Sequence, residues 1–278
     1  MDILFLAAAG RARKELLLDL TPLEWVSPMG IVAILATALA SAERNLTVDI
    51  LMPTGVAPFL EHIGFIAELR RRNWSAPPAQ GTPSGFNPCL PVMALERDSE
   101  VDTMQELLID RLSMSFAAPN VVAEIGTVAA ELTANAREHG TPTSGKSSCY
   151  AVAQGYSGAS SGRSGVTVAV ADFGGGFAAS LRARYGKMLD EHAMERAFDE
   201  RVSATGLPDR GLGLAHVLEA VDRHQGASLE ILSYRGRLVR RERRFERSSL
   251  PVKIAGTFAT AHFPHAVYNP VQLKAQEE

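Results

Sequence analysis

The clearest periodic pattern in the chain runs from Asn120 to Gly140, where apolar residues return at helical spacing. The apolar positions are Val121, Val122, Ile125, Val128 and Leu132. This spacing predicts a helix with one buried stripe. We expect Asn120 to cap the N-terminus of this helix and Gly140 to end it, because Asn accepts bonds from free amides and Gly tolerates a left-handed turn.

Three polar residues share one face of this predicted helix. Glu131, Asn135 and His139 follow one another at intervals of four residues, so their side chains lie one above the other. The face therefore presents a carboxylate, a carboxamide and an imidazole. Glu131 is either a catalytic group or a capped or paired surface carboxylate. His139 is either a phosphate contact or a cation that stabilises the helix end.

Two glycine-rich stretches follow along the chain. In the first, an apolar, β-branched strand ends at Asp172, and Gly174 and Gly176 then allow the backbone to approach a ligand closely. The second stretch, residues 209–214, stands directly before a helical pattern that begins at Ala215. A glycine turn that opens a helix presents free N–H groups, which suit a phosphate.

The remaining patterns of this half predict an α+β sandwich. Apolar runs at 148–153, 165–171, 228–233 and 258–262 predict strands, and 101–113 and 191–201 predict helices. We expect a mixed sheet with helices on one face. A Gly- and Ser-rich loop is expected at 155–165, and a solvated hairpin tip at the charged run 240–247.

The first 73 residues show a separate alternation of elements. Strands are predicted at 15–20 and 47–52, and helices at 29–42 and 58–72, which favours a small α/β unit. A stretch rich in Pro and Gly follows at 74–91 and is typical of a linker. We therefore divide the chain into an N-terminal domain (1–73), a linker (74–91), a second domain (92–267) and a disordered tail (268–278).

Composition and charge limit the classes of function that we expect for this chain. The chain has 278 residues, of which 46% are hydrophobic, and a net charge of -3, which favours a real core and argues against nucleic-acid binding. Cys89 and Cys149 are far apart in sequence and are expected to be free thiols in a reducing cytoplasm. The apolar stretches Ile3–Ala9 and Met29–Ala40 are too short to span a bilayer, and no basic residue precedes the first, so we expect neither a signal peptide nor a membrane segment.

The order of the polar helix and the two glycine boxes resembles the GHKL ATPases, the Bergerat-type family that includes gyrase and the histidine kinases. The residues that match its three boxes are Glu131, Asn135, His139 and Gly140, then Asp172, Gly174 and Gly176, then Arg210, Gly211, Gly213 and Leu214. Gly256 and Thr257 match the Gly-Thr pair that closes many such sites. The resemblance covers roughly residues 95 to 265, and the sequence around Glu131 is most similar to the anti-sigma-factor serine kinases.

This resemblance implies a site for ATP and Mg²⁺. Glu131 would take a proton from the attacking water or hydroxyl, and the Asn135 carboxamide oxygen is a hard ligand that suits magnesium. Asp172 would accept a hydrogen bond from the adenine amino group, although a turn-capping role is the alternative. The residues expected around the rest of the nucleotide are Gly174 and Gly176 near the base and sugar, Arg210, Gly211, Leu212, Gly213 and Leu214 near the phosphates, and Thr257 through water.

The N-terminal segment has a weaker resemblance of its own, to STAS domains. The stretch from Asp19 to Gly30 is similar to the junction that carries a phosphorylated Ser or Thr in the anti-anti-sigma proteins of that family, but here Pro28 takes the acceptor position. Proline cannot be phosphorylated. Ser27 could replace it, yet the cap of a helix explains Ser27 better. We expect this domain to be a docking module.

Two functions are compatible with these residues. One is an ATPase or protein serine/threonine kinase that acts on a regulatory partner, either STAS-like or sigma-factor-like. The other is a nucleotide-gated binding module with little or no turnover. A histidine kinase is less favoured, because no dimerisation helix with a phosphorylatable His precedes the ATP-binding domain. A second copy of this chain is a further candidate partner, as a homodimer. In the resembled family the interval 177–205 is the ATP lid, and the alternative is a solvated surface helix; the two are compatible, because a lid is solvated when open.

Overall fold

We describe the protein from a computed structural model; the residues that the structure describes are 15–52, 55–74, 88–115, 119–140, 149–157, 164–199 and 212–264. The strands within these ranges are β1 (Glu15–Asp19), β2 (Thr47–Leu51), β3 (Pro88–Leu95), β4 (Cys149–Ser157), β5 (Ser164–Ala171), β6 (Ser228–Ser233), β7 (Gly236–Arg241), β8 (Arg244–Ser249) and β9 (Thr257–Phe263). The helices are α1 (Pro28–Ala42), α2 (Ala57–His62), α3 (Phe65–Arg71), α4 (Ser99–Ser115), α5 (Pro119–His139), α6 (Gly176–Tyr185), α7 (Asp190–Arg196) and α8 (Gly213–Arg223).

The strands form two sheets. β1 and β2 pair in parallel, and the other seven form an antiparallel sheet in the order β3-β4-β5-β9-β6-β7-β8. Sheet and helices pack as layers, so the predicted α+β sandwich is confirmed, with parallel pairing in the small sheet and antiparallel pairing in the large one. No helix in the described ranges is long and apolar enough to cross a membrane.

One face of the large sheet carries α4, α5 and α8. The β5 residues Val166, Val168 and Val170 point to this side and share a core with the apolar stripe of α5, which includes Ile125 and Val128. The stripe is the one that the sequence predicts, because residues three and four apart in a helix face the same way. α5 also ends as expected, with the Gly140 amide donating to the Ala136 carbonyl (2.8 Å).

The opposite face of the large sheet is covered as well, which differs from the expected single layer of helices. Ala169 and Ala171 of β5 point to this side, into a second core with α1. α1 lies between the two sheets, and its buried residues are spread all round it, among them Ile31, Val32 and Leu35. An all-round apolar helix needs cover on every side, which a two-stranded sheet alone cannot provide.

Polar contacts join this N-terminal unit (residues 15–52 and 55–74) to the large sheet. The Tyr150 hydroxyl of β4 donates to the Glu68 carboxylate (2.8 Å), and both groups are buried. Arg71 and Arg72 also bond Glu68, and both reach Glu96 beyond β3. The N-terminal unit and the sheet are therefore continuous in packing and in hydrogen bonding.

Several elements differ from the sequence prediction in their ends. The single helix predicted at 58–72 is two helices, because Gly64 adopts a left-handed φ of +83° between them. Asn120 lies inside α5, which already begins at Pro119; proline suits the first helical turn because its missing N–H would have no partner there. Ser27 does cap α1, accepting a bond from the Gly30 amide (3.1 Å).

Other differences concern strands and the region between the glycine boxes. β3 begins inside the stretch expected to be a linker, and most of that stretch lies outside the described residues, as do the predicted tail and residues 158–163 of the predicted loop. The flanking residues of that predicted loop belong to β4 and β5. The charged run 240–247 forms the β7–β8 hairpin, as predicted. The predicted helix 191–201 ends earlier, at Arg196, and α6 was not predicted; residues 200–205 of the expected lid lie outside the described ranges.

Candidate functional site

A cleft of about 400 Å³ opens between α5, α6 and the first turn of α8, above the large sheet. It collects most of the residues singled out in the sequence. Those that line it are Glu131, Asn135 and His139 from α5, Asp172 and Thr257 from the ends of β5 and β9, Gly176 from α6, and Leu212, Gly213 and Leu214 from the start of α8. The tertiary fold thus brings together segments that are far apart in sequence, from Glu131 to Thr257.

Three predicted residues are not among those that line the cleft within the described part of the chain. Gly174 stands behind Asp172 and packs against the end of α5, where a Cβ on Gly174 would lie 2.5 Å from the Gly140 Cα. Arg210 and Gly211 lie outside the described residues.

Asp172 is the buried charge of this cleft, with 5% of its surface exposed. Its Oδ1 accepts a hydrogen bond from the Gly174 amide (2.8 Å), and the amide and hydroxyl of Thr257 bond the same carboxylate. Asp172 also donates its own amide to the Thr257 carbonyl (2.9 Å), so β5 and β9 fix the position of the residue. Burial raises the pKa of the Asp172 carboxyl to about 7, while the bonds from Gly174 and Thr257 lower it.

Close backbone packing holds Asp172 in place. Gly256 has a φ of +81°, and a Cβ there would overlap the Asp172 carbonyl and lie 2.5 Å from the Phe173 Cα. Gly140 abuts the Asp172 side chain, since its Cβ would lie 2.5 Å from the Asp172 Cβ. Larger residues at these two positions would push the carboxylate out of place. This explains why the end of β5 needs glycines from two other segments.

Glu131 and Asn135 face the cleft from α5, one turn apart. The Asn135 Nδ2 donates to the Glu131 carbonyl (2.7 Å), which turns the carboxamide oxygen away from the helix backbone. The Glu131 carboxylate reaches the first turn of α8, where a Cβ on Gly213 would overlap its Oε2. A carboxylate, a carboxamide oxygen and a helix N-terminus therefore stand at one end of the cleft, while Asp172 stands further along.

The sequence reasoning missed several residues of the cleft. His216 lines it from α8, with Nδ1 3.8 Å from the Glu131 Oε1. Its place three residues after Gly213 could have signalled this, because such a residue lies on the first turn of the helix. Phe177 and Leu181 of α6 and Ala197 after α7 form an apolar wall; nothing in the sequence pattern pointed to it, since α6 itself was not predicted.

The chemistry of the cleft changes along its length. Val170, Ile231 and Ala259 form an apolar floor from three adjacent strands, next to the buried Asp172. Apolar surface beside one buried carboxylate suits a flat heteroaromatic ring that carries an amino group. The Glu131 end suits charged and hydrated groups. Within the described residues no three His, Cys, Asp or Glu side chains are grouped to hold a metal ion.

Comparison with known proteins adds no assignment. No protein-family model matches the chain, and no curated protein matches it.

Proposed function

We propose that this protein binds Mg·ATP in the cleft as a GHKL-type protein of the Bergerat fold, and that it is an ATPase or a protein serine/threonine kinase acting on a regulatory partner. The observation that carries the proposal is Asp172, a buried carboxylate beside an apolar floor at the edge of the cleft. A buried carboxylate whose other bonds come from backbone and hydroxyl groups is costly unless a ligand donor also meets it. The adenine amino group is such a donor.

The residues present fit ATP in size and in chemistry. A cleft of about 400 Å³ is within the range of small-molecule sites. The adenine would lie on the floor formed by Val170, Ile231 and Ala259, with its amino group towards Asp172 and with Thr257 beside it. The first turn of α8, from Leu212 to Leu214, would face the phosphates with its free amides.

Glu131 and Asn135 would serve the reacting end. When bound, Mg·ATP supplies the phosphoryl group to be transferred, with its charge neutralised by the metal. Asn135 would hold the metal through the carboxamide oxygen that its bond to the Glu131 carbonyl leaves available. Glu131 would accept a proton from the attacking water or serine hydroxyl and direct the oxygen to the phosphorus.

The N-terminal unit fits the role of a docking module for a regulatory protein, such as a STAS-like or sigma-factor-like partner. Its Ser27 is engaged as the cap of α1, and Pro28 occupies the position where related domains carry a phosphorylated hydroxyl. On this proposal the unit is not itself the phosphorylated substrate. Its extensive packing against the sheet makes it a permanent part of the molecule.

Calorimetric titration of Mg·ATP, followed by measurement of ADP release, tests the proposal. We expect wild-type protein to bind, Asp172→Ala to lose binding by more than about tenfold, and Glu131→Gln to bind but lose turnover. Glu106→Gln, which removes an exposed carboxylate of α4 outside the cleft, is the matched control and should behave as wild type. Absence of binding by the wild-type protein would refute the proposal.

The same titration separates the proposed enzyme from a nucleotide-gated binding module. Such a module would bind ATP through Asp172 without turnover, and its capture of a partner would depend on ATP and survive Glu131→Gln. ADP release that Glu131→Gln abolishes would exclude it.

A further inference from the structure

Two ionisable side chains meet where α5 and α8 pack together. The imidazole of His216, on the first turn of α8, has Nδ1 3.8 Å from Oε1 of Glu131. The other carboxylate oxygen of Glu131 lies against Gly213, where a Cβ would overlap it. The carboxylate is therefore held between the backbone of one helix and a side chain of the same helix.

This contact matters because a base acts only when its oxygen points at the proton it removes. Glutamate has three rotatable bonds, and 31% of the Glu131 side chain is exposed, so α5 alone leaves several orientations open. The α8 backbone at Gly213 blocks one direction. The ring of His216, with 53% of its side chain exposed, can turn to place its Nδ1–H within hydrogen-bonding distance of the carboxylate.

We propose that His216 is a positioning residue that holds the Glu131 carboxylate in the orientation needed to accept a proton. The inference rests on the proposed function for the role of Glu131, but the contact itself can be tested without any ligand. In this arrangement the His216 Nδ1–H donates to one carboxylate oxygen, and the other oxygen receives the proton from the attacking water or hydroxyl. His216 acts through Glu131 and does not itself accept the proton that moves.

The first experiment uses the ligand-free full-length protein. We would record the imidazole ¹⁵N resonances of His216, assigned by comparison with His216→Asn, in wild-type protein and in Glu131→Gln. The Nδ1 resonance is expected to shift in Glu131→Gln, because a neutral amide replaces the charged acceptor, and to stay unchanged in the control Glu106→Gln. An Nδ1 resonance that Glu131→Gln leaves unchanged overturns the proposal, whether or not the protein binds ATP.

The second experiment measures turnover of Mg·ATP in variants of His216. At position 216, asparagine places an N–H close to where the His216 ring has Nδ1, whereas glutamine places one close to where the ring has Nε2. We expect His216→Ala and His216→Gln to lower kcat by about tenfold with KM changed far less, and His216→Asn to retain most of the activity. Because the site is half exposed, added imidazole should restore part of the turnover of His216→Ala. His192→Ala, which removes an exposed histidine of α7 outside the cleft, is the control.

The outcomes separate this inference from the proposed function. Turnover that is equal in wild type and His216→Ala overturns the positioning role, while Mg·ATP binding through Asp172 still stands. A wild-type protein that binds no ATP refutes the proposed function, and the Nδ1 resonance then decides by itself whether Glu131 and His216 interact.

Discussion

Gly174 lies in backbone contact with Gly140, so that the turn after β5 and the end of α5 touch without a side chain between them. A Cβ on Gly174 would lie 2.5 Å from the Gly140 Cα and 2.6 Å from the His139 carbonyl oxygen. The Gly174 amide also donates to the Asp172 carboxylate. The contact therefore joins the polar face of α5 to the buried acid of the cleft.

Replacing Gly174 by alanine tests this contact. The new methyl group would meet backbone atoms, which cannot move aside as a flexible side chain can, so we expect Gly174→Ala to lower the free energy of unfolding by about 2 kcal/mol. Gly55→Ala is the control, because a Cβ there meets nothing within 4 Å; it should change the free energy of unfolding by less than about 1 kcal/mol. Urea denaturation gives both values, and equal stability of the two variants would contradict the close packing.

The pH dependence of stability reports on Asp172. Since burial raises the pKa of Asp172 to about 7, above an unfolded value of about 3.9, the folded protein holds the extra proton between these values. The contribution of this group to the free energy of unfolding therefore falls as the pH rises from about 4 to about 7, by at most about 1.4 kcal/mol per pH unit. Asp172→Asn should remove this dependence. Unfolding curves for wild type and Asp172→Asn that stay parallel from pH 5 to 8 would contradict it.

Binding of Mg·ATP should release the proton that the folded protein holds on Asp172. An amino group that donates to Asp172 favours the ionised carboxylate, so Mg·ATP binding near pH 6 should release close to one proton from this residue. Titration calorimetry in buffers of different ionisation enthalpy measures that release. It should vanish above about pH 8, where the carboxylate is already ionised. Proton uptake by the protein on binding would show that the ligand instead meets a protonated Asp172.

The hydrogen-bond network of Glu68, which reaches the large sheet through Tyr150, should contribute more to the free energy of unfolding than a surface ion pair does. Glu68 is 7% exposed and bonds Tyr150, Arg71 and Arg72, whereas Glu61 pairs with Arg70 in solvent. Removing one member of a buried network leaves its partners uncompensated, so Glu68→Ala should cost about 3 kcal/mol of unfolding free energy. Glu61→Ala, the control on the neighbouring helix, should cost less than about 1 kcal/mol. Similar values for the two variants would mean that the interface does not depend on Glu68.

The thiol of Cys149 should be inert in the folded protein. It is fully buried in β4, and burial raises the pKa of the thiol well above its usual range. In a Cys89→Ser background, an aromatic disulfide reagent should therefore label Cys149 only as fast as the protein unfolds. Labelling that is rapid under native conditions and independent of denaturant would show that β4 is accessible.

The sequence by itself determined the local elements and the chemical groups of the cleft. The spacing of Val122, Ile125 and Val128 decides which face of α5 is buried, and the same spacing places Glu131 and Asn135 together on another face. The end of a buried strand at Asp172 and the glycine that opens α8 are equally local signals. Each depends only on the geometry of one helix, strand or turn, which a sequence pattern reflects directly.

Only the tertiary structure decided how these pieces meet. The sequence suggested a separate N-terminal unit, yet α1 shares a core with Ala169 and Ala171 of the large sheet. β3 and α6 were not predicted, and the approach of His216 to Glu131 depends on how two helices pack. Contacts of this kind join residues that are far apart in the chain, and they follow from which apolar surfaces cover one another rather than from any local period.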